Sequence, residues 1–207
     1  MVQVLAQPKL VTFAEFAEWK PENRFYELHN GVIVEMPQPV GDHEEITSFL
    51  TEKVMVEYLR LNLPYRIPKT VLVKPPSAES AYSPDVLVLN RSNLVNEPLW
   101  KKSATVVQGA SIVMVIEVVS TNWRDDYLTK LKEYEEIGIP EYWIVDYLGI
   151  GGRRFIGNPK QPTIFVHELI DGEYQVTAFR DGDLVISPTF PELILTANQI
   201  FEAGTVA

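Results

Sequence analysis

The sequence predicts a mixed α/β fold, organised as a single domain over residues 1–207 with a β-rich C-terminal part. Residues 112–119 are nearly all apolar, as expected of a strand covered on both faces. Apolar side chains recur at every fourth residue from Ile46 to Tyr58, which is typical of a buried helix face. After residue 160, short β-branched segments alternate with Asp-Gly pairs that favour hairpin turns. A chain of this length commonly builds one core.

The N-terminal part predicts a short helix, a hairpin and a long helix. Thr12 and Glu15 form a capping-box pattern that begins a helix ending before Pro21. Residues 24–29 and 32–36 flank Asn30-Gly31, a pair that tolerates the positive φ angles of a two-residue hairpin turn. Asp42 is the expected N-cap of the long helix. The inward side chains of that helix are Ile46, Leu50, Val54 and Tyr58.

The rest of the chain predicts strands around one further long helix. We expect that helix at Arg124–Ile137, because Gly138 suits the position after the last turn and Pro140 follows. Thr196 is expected to cap a short last helix. The expected strands are Tyr65–Val73, Asp85–Leu89, Ser111–Val119, Glu141–Tyr147, Thr163–Leu169, Tyr174–Phe179 and Leu184–Ile186.

The composition excludes several classes of site. The chain has no cysteine, which excludes a disulfide framework, a thiolate zinc site and a cysteine nucleophile, so any metal binds oxygen or imidazole. Phosphate-loop and nucleophile-elbow motifs are absent from the sequence, which argues against ATPase and serine-hydrolase functions. The longest apolar run is far shorter than the about 20 residues of a membrane helix. With no signal-peptide pattern either, we expect a cytoplasmic protein without a membrane partner.

The acidic charge is unevenly distributed along the chain. The net charge of −10 argues weakly against a general nucleic-acid binder. Residues 61–160 hold 12 basic and 11 acidic side chains, whereas residues 1–60 hold 5 and 10 and residues 161–207 hold 1 and 7. The central region can therefore approach a polyanion, above all if a divalent cation neutralises its carboxylates. The alternative is a chance fluctuation in charge.

Two carboxylates stand at the ends of predicted strands. Glu117 is the charged residue within the apolar run 112–119, and a buried carboxylate needs a partner, a metal or a proton. Asp85 follows Pro84 at the start of another apolar strand. Together they would form a hard-oxygen site of the kind Mg²⁺ prefers, with water and substrate phosphate as further ligands. The alternatives are a strand end that surfaces at Glu117 and a turn or capping role for Asp85.

Lys130 is predicted to face the protein interior. At 100° per residue it falls between Tyr134 and Ile137 on the apolar arc of its helix, whereas Lys132 points to solvent. A lysine on such a face either extends its ammonium out to water or delivers it into a site. Asp126, one turn earlier, is placed to pair with Lys130 and orient it.

Together these residues resemble the Uma family of bacterial endonuclease-like proteins, within the PD-(D/E)xK nuclease superfamily. The match runs from about Thr12 to Asp146 and is looser beyond. The matching residues are Tyr26-Glu27-Leu28 with Gly31, His43 at the start of the long helix, Pro84-Asp85, Glu117-Val118-Val119-Ser120, the series Asp126, Lys130 and Tyr134, and residues 138–146.

The resemblance implies a restriction-endonuclease-like α/β fold, with a mixed sheet flanked by helices, and a metal-dependent endonuclease that hydrolyses DNA phosphodiester bonds. It implies that Asp85 and Glu117 hold Mg²⁺ or Mn²⁺ and that Lys130 and Glu27 complete the catalytic set. The superfamily's usual lysine position is Val119 here, so the lysine role is expected at Lys130. Glu27 is a further ligand or water-orienting group, or else a solvent-facing hairpin residue.

The three histidines add little to this prediction. His43 follows Asp42 and is interpreted as a helix-start residue more readily than as a ligand. His29 and His167 stand beside predicted turns and are assigned no role.

The sequence leaves a second function open. A binding or assembly module that shares the fold and keeps a vestigial site is the alternative, because fold alone does not establish function. For the enzyme we also expect a homodimer, since cutting both strands of DNA calls for two sites related by a two-fold axis.

Overall fold

The computed structural model describes residues 9–21 and 24–205. Within these ranges the α-helices are α1 (Phe13–Trp19), α2 (Gly41–Arg60), α3 (Trp100–Ser103), α4 (Leu131–Ile137), α5 (Arg153–Ile156) and α6 (Ala197–Glu202). The strands are β1 (Tyr26–His29), β2 (Val32–Glu35), β3 (Tyr65–Arg66), β4 (Leu72–Val73), β5 (Val86–Asn90), β6 (Thr105–Val106), β7 (Ile112–Val118), β8 (Glu141–Asp146), β9 (Thr163–Ile170), β10 (Glu173–Phe179), β11 (Leu184–Val185) and β12 (Leu195–Thr196). No helix in the described ranges is both long and apolar enough to cross a bilayer.

Six of the described strands form the central sheet, in the order β10-β9-β8-β7-β5-β3. β7 and β8 run parallel, and the other neighbouring pairs are antiparallel. Every residue of β7 is buried, as its apolar run predicts for a central strand. The prediction of a mixed α/β fold with a β-rich C-terminal part is confirmed.

The sheet separates two apolar clusters. On one face, Ile46 and Leu50 of α2 belong to a cluster with Ile116 of β7 and with side chains of α6. On the other face, Tyr127 and Tyr134 belong to a cluster with alternate side chains of the same strands. The site described below lies where the second cluster meets the ends of the strands.

The predicted starts and turns of the N-terminal elements are largely confirmed. Thr12 closes a capping box with Glu15 at the start of α1. Asn30 and Gly31 take φ angles of 48° and 81°, as the hairpin turn requires. The prediction for Asp42 is wrong, since α2 begins at Gly41 and Val40 is its N-cap, without a side-chain cap. Asp42 instead lies in the first turn, where a carboxylate favours the positive end of the helix dipole.

The predicted strand Tyr65–Val73 is also wrong as a single element. It divides into β3, which pairs with β5, and β4, which pairs in parallel with β6 outside the central sheet. Pro68 lies between the two strands and has no N–H to donate to a ladder. The apolar composition therefore predicts strands correctly but does not predict the break between β3 and β4.

The helix that follows β7 is confirmed in position but is not regular. Residues 123–137 are helical, with a π-helical turn at Asp125–Lys130 before α4. Gly138 ends α4 with φ of 83°, the left-handed conformation that glycine adopts without strain. The π-helical turn holds one residue more than an α-helix would between the same ends, and such turns are frequent at functional sites.

Candidate active site

Asp85 and Glu117 meet at one edge of the central sheet. β5 and β7 are antiparallel and Val86 pairs with Ile116, so the residue before β5 lies beside the end of β7. The Oδ2 atom of Asp85 accepts a hydrogen bond from the Val118 N–H at 2.8 Å. The Glu117 side chain is 3% exposed and that of Asp85 is 24% exposed. Glu117 is therefore buried, whereas Asp85 is partly accessible to solvent.

Lys130 reaches this edge from the π-helical turn. Its side chain is 3% exposed, and its Nζ lies 3.1 Å from Glu117 Oε1, 3.3 Å from Asp126 Oδ1 and 3.6 Å from Glu27 Oε1. Tyr134, one turn further along the helix, donates its O–H to the same Glu117 oxygen at 2.9 Å. Lys132 is exposed. The helix therefore directs one lysine to the carboxylates and the other to solvent, as the periodicity predicts.

Glu27 is brought to the same cluster by the β1–β2 hairpin. Its side chain is 2% exposed, so the solvent-facing alternative for Glu27 is wrong. Its Oε1 accepts the Ser83 N–H at 2.9 Å and its Oε2 lies 2.8 Å from His29 Nε2. These contacts hold Glu27 beside Lys130, although the two residues are far apart in the sequence.

His43 approaches Asp85 from the start of α2. Its Nε2 donates to the Val118 carbonyl at 3.0 Å and lies 3.4 Å from Asp85 Oδ2. Burial alone would lower the pKa of His43, but Asp85 and the Val118 carbonyl raise it above its ordinary value. Asp85 and the Val118 carbonyl therefore favour the protonated imidazole of His43 more than water would.

The family of the chain is established by comparison. A family model named Uma2 and described as "Putative restriction endonuclease" matches residues 13–198. The chain belongs to the Uma2 family. The family resemblance predicted from the sequence is thereby confirmed, and membership supports a nuclease-like function.

A solved structure shows the same fold as this Uma2 protein. A crystal structure of a "putative nuclease belonging to DUF820" from Anabaena variabilis matches with a TM-score of 0.71 and 19% sequence identity. The match covers 94% of this chain and 99% of that chain, and at this identity it concerns the fold alone. No curated protein sequence matches the chain significantly.

The Uma2 site is rich in negative charge. Four carboxyl groups, those of Asp85, Glu117, Asp126 and Glu27, act on the single ammonium of Lys130. Although burial favours a neutral amine, these carboxylates raise the pKa of Lys130 well above its usual value. Lys130 is therefore a permanent cation in this cluster.

The pKa values of the carboxyl groups shift in different directions within this cluster. Burial and the neighbouring carboxylates raise the pKa of Glu117 well above its usual range against the effect of Lys130, and burial raises that of Asp126 to about 6. Although burial opposes it, Lys130, His29 and the Ser83 N–H hold the pKa of Glu27 below its usual value. Glu117 and Asp126 therefore take up protons more readily than isolated carboxyl groups do, and a further cation beside them would oppose that uptake.

Asp85 and Glu117 fit a hydrated divalent cation. The described residues contain no group of three His, Asp or Glu side chains arranged as a metal cage. Mg²⁺ does not require one, since it is usually held by one or two carboxylates together with water and substrate phosphates. Among the hydrogen bonds of the described residues, none reaches Asp85 Oδ1 or Glu117 Oε2, so each carboxylate has an oxygen to offer. A cation there would also offset the excess negative charge.

Two histidines of the cluster were undervalued from the sequence. His43 extends the buried stripe of α2, because it lies three residues before Ile46 and seven before Leu50. His29 lies two residues from Glu27, and alternate residues of a strand share a face. Both spacings are visible in the sequence and could have signalled these contacts.

Proposed function

We propose that this Uma2 protein is a metal-dependent endonuclease that hydrolyses DNA phosphodiester bonds. Asp85 and Glu117 are the ligands of Mg²⁺ or Mn²⁺ in this proposal, and Lys130 and Glu27 act with them as catalytic residues. The observation that supports it most is the buried ammonium of Lys130, which lies within 3.6 Å of the carboxylates of Glu117, Asp126 and Glu27.

A purely structural role explains this arrangement poorly. Burial of several carboxylates around one ammonium costs several kcal/mol per ion, and well-packed apolar side chains often replace buried ion pairs without loss of stability. A cluster with excess negative charge beside a partly exposed aspartate is instead suited to a cation from solvent. The vestigial-module alternative offers no physical reason for this excess.

The catalytic contributions of the side chains follow from their charges. A bound divalent ion supplies Lewis-acid stabilisation of the negative charge that grows on the phosphate oxygens. The Lys130 ammonium adds a fixed positive charge in a site of low dielectric, where one such contact commonly changes a rate by about 10² to 10³-fold. Glu27, held ionised by its neighbours, is a hydrogen-bond acceptor able to orient water. His43 and Tyr134 position Asp85 and Glu117 respectively.

Further parts of the proposal concern the whole molecule. We propose that residues 1–207 act as one domain, that two copies form a homodimer to cut both DNA strands, and that the protein works in the cytoplasm. The single domain, the homodimer and the cytoplasmic location are predictions from the sequence, and the chemistry of one site does not depend on them.

Calorimetric titration with Mg²⁺ and Mn²⁺, together with cleavage of supercoiled plasmid, tests the proposal. We expect the wild type to bind the metal and cleave the plasmid, and Glu117→Gln to do neither. Glu136→Gln is the matched control, because it makes the same substitution at a glutamate that is exposed on α4, and it should change neither result. A wild type that binds neither metal and leaves the plasmid intact would favour the vestigial module.

A further inference from the structure

Two arginines stack on two contacting aromatic rings near the candidate site. The guanidinium carbon of Arg124 lies 4.6 Å from the centre of the Trp123 ring, and that of Arg154 lies 4.5 Å from the centre of the Phe155 ring. The Trp123 and Phe155 ring centres are 6.5 Å apart. These four residues form one arginine–aromatic cluster. Stacking of this kind holds a planar guanidinium while leaving the N–H groups at its edge free to bind.

The cluster lies at the same edge of the sheet as Glu117. Because β7 and β8 are parallel, the segments that follow them, which carry Arg124 and Arg154, begin at one edge. Tyr127 contacts both rings, with centre distances of 5.8 Å to Trp123 and 4.8 Å to Phe155. It directly follows Asp126, whose carboxylate pairs with Lys130. The arginine–aromatic cluster therefore lies at the same edge of the sheet as the carboxylates that are proposed to act on a phosphodiester.

The loop that precedes α5, the short helix of Arg154, is held by hydrogen bonds. Asp146 accepts hydrogen bonds from the Ile150 N–H at 2.9 Å, the Gly151 N–H at 2.8 Å and the Tyr127 O–H at 3.0 Å. A Cβ at Gly151 would lie only 2.8 Å from Asp146 Oδ2, so a glycine is needed for this close approach. The cluster is thus built before any ligand arrives, which reduces the entropy lost on binding.

The two arginine charges are not neutralised within the described part of the chain. Arg124 and Arg154 are both exposed, and neither takes part in any salt bridge found among the described residues. Asp125, the acidic neighbour of Arg124, is approached by the Asn122 amide instead. Both guanidinium groups of the cluster are therefore available to an anion from solvent.

We propose that the arginine–aromatic cluster binds the phosphate backbone of DNA beside the bond that is cut. The inference rests on the proposed nuclease function and adds a surface that positions its substrate. Guanidinium groups bind phosphate oxygens in a bidentate manner, and such contacts fix position without reading sequence. An arginine already covers one face of each ring, which favours binding of the backbone over stacking of bases.

Anisotropy of a short fluorescein-labelled duplex tests this inference, in EDTA and again in Ca²⁺. The variant is Arg124→Ala with Arg154→Ala. The matched control is Arg91→Ala with Lys101→Ala, which removes the same charge from two exposed residues that line a pocket with Leu89, at the opposite end of β5 from Asp85. We expect the Arg124/Arg154 variant to bind about tenfold more weakly, and its salt slope to fall by about 1.8, because each phosphate contact contributes about 0.9. The control should stay within about twofold of the wild type.

The outcomes separate this inference from the proposed function. A wild type that does not bind the duplex in either condition, or an Arg124/Arg154 variant that loses no more affinity than the control, overturns the inference. Thermal melts of both variants exclude unfolding as the cause of a loss. Binding that depends on Arg124 and Arg154, without plasmid cleavage in Mg²⁺ or Mn²⁺, would support the cluster as a DNA-backbone site and overturn the proposed function together with the position beside a cut bond.

Discussion

Replacement of Lys130 by methionine is expected to affect stability and activity together. The substitution keeps an unbranched side chain but leaves the carboxylates of Glu117, Asp126 and Glu27 without their shared cation. Removal of one partner from a buried ion pair costs about 3 to 5 kcal/mol. For a chain of this size, that free energy corresponds to a Tm lower by about 6 to 20 °C. Cleavage should fall by about 10² to 10³-fold, while metal affinity is not reduced, because an ammonium is not a metal ligand.

The pH dependence of the loss in Tm shows whether its cause is electrostatic. Protonated carboxyl groups need no counter-ion, so the Tm difference between Lys130→Met and wild type should be larger at pH 8 than at pH 5. Lys132→Met is the matched control on the exposed side of the helix and should change stability by less than about 0.5 kcal/mol. Thermal melts at both pH values and plasmid cleavage in Mn²⁺ measure these effects. Wild-type cleavage by Lys130→Met would remove the lysine from the mechanism, and equal Tm losses at both pH values would exclude the electrostatic explanation.

Three further predictions concern the metal, a histidine and assembly. Asp85→Ala and Glu117→Ala should each abolish the rise in Tm caused by Mg²⁺, because each removes a proposed ligand of the metal; a rise equal to that of wild type would contradict the metal site. Burial lowers the pKa of His167 to about 4 from 6.5, so the unfolded chain takes up a proton that the folded chain does not, and stability falls as the pH drops through this window. The free energy of unfolding, measured with urea, should fall by about 3 kcal/mol across this window. His167→Phe should lack this fall; a pH profile equal to that of wild type in the variant would show that His167 is not its cause. Light scattering should give twice the chain mass of 23.5 kDa, and a single-chain mass at micromolar concentration would exclude the homodimer.

Local patterns predicted those parts of the site that depend on one element. The apolar run around Glu117 indicated a buried strand, and the spacing of Lys130 and Tyr134 indicated one inward face. The 100° spacing still gave the correct face for Lys130 despite the π-helical turn, because Tyr134 lies four residues later in regular α-helix. Lys132, two residues from Lys130, was placed in solvent by the same argument.

Contacts between distant segments could not be predicted from spacing. Glu27 is held by the N–H of Ser83, a residue 56 positions away, and no local pattern encodes that distance. His43 contacts the carbonyl of Val118 across 75 positions, although its place in the buried stripe was visible. The break between β3 and β4 depends on which neighbouring strands are available for pairing, which is a property of the assembled sheet.

The π-helical turn at Asp125–Lys130 also predicts a pattern of insertions and deletions among related chains. Loss of one residue from this turn would let the segment close as a regular α-helix and turn one flank by about 100° relative to the other. Either Lys130 would leave Glu117, or Trp123 would leave Phe155. A one-residue gap at this place in an alignment would therefore mark chains that cannot keep both arrangements, even where all four residue types are still present.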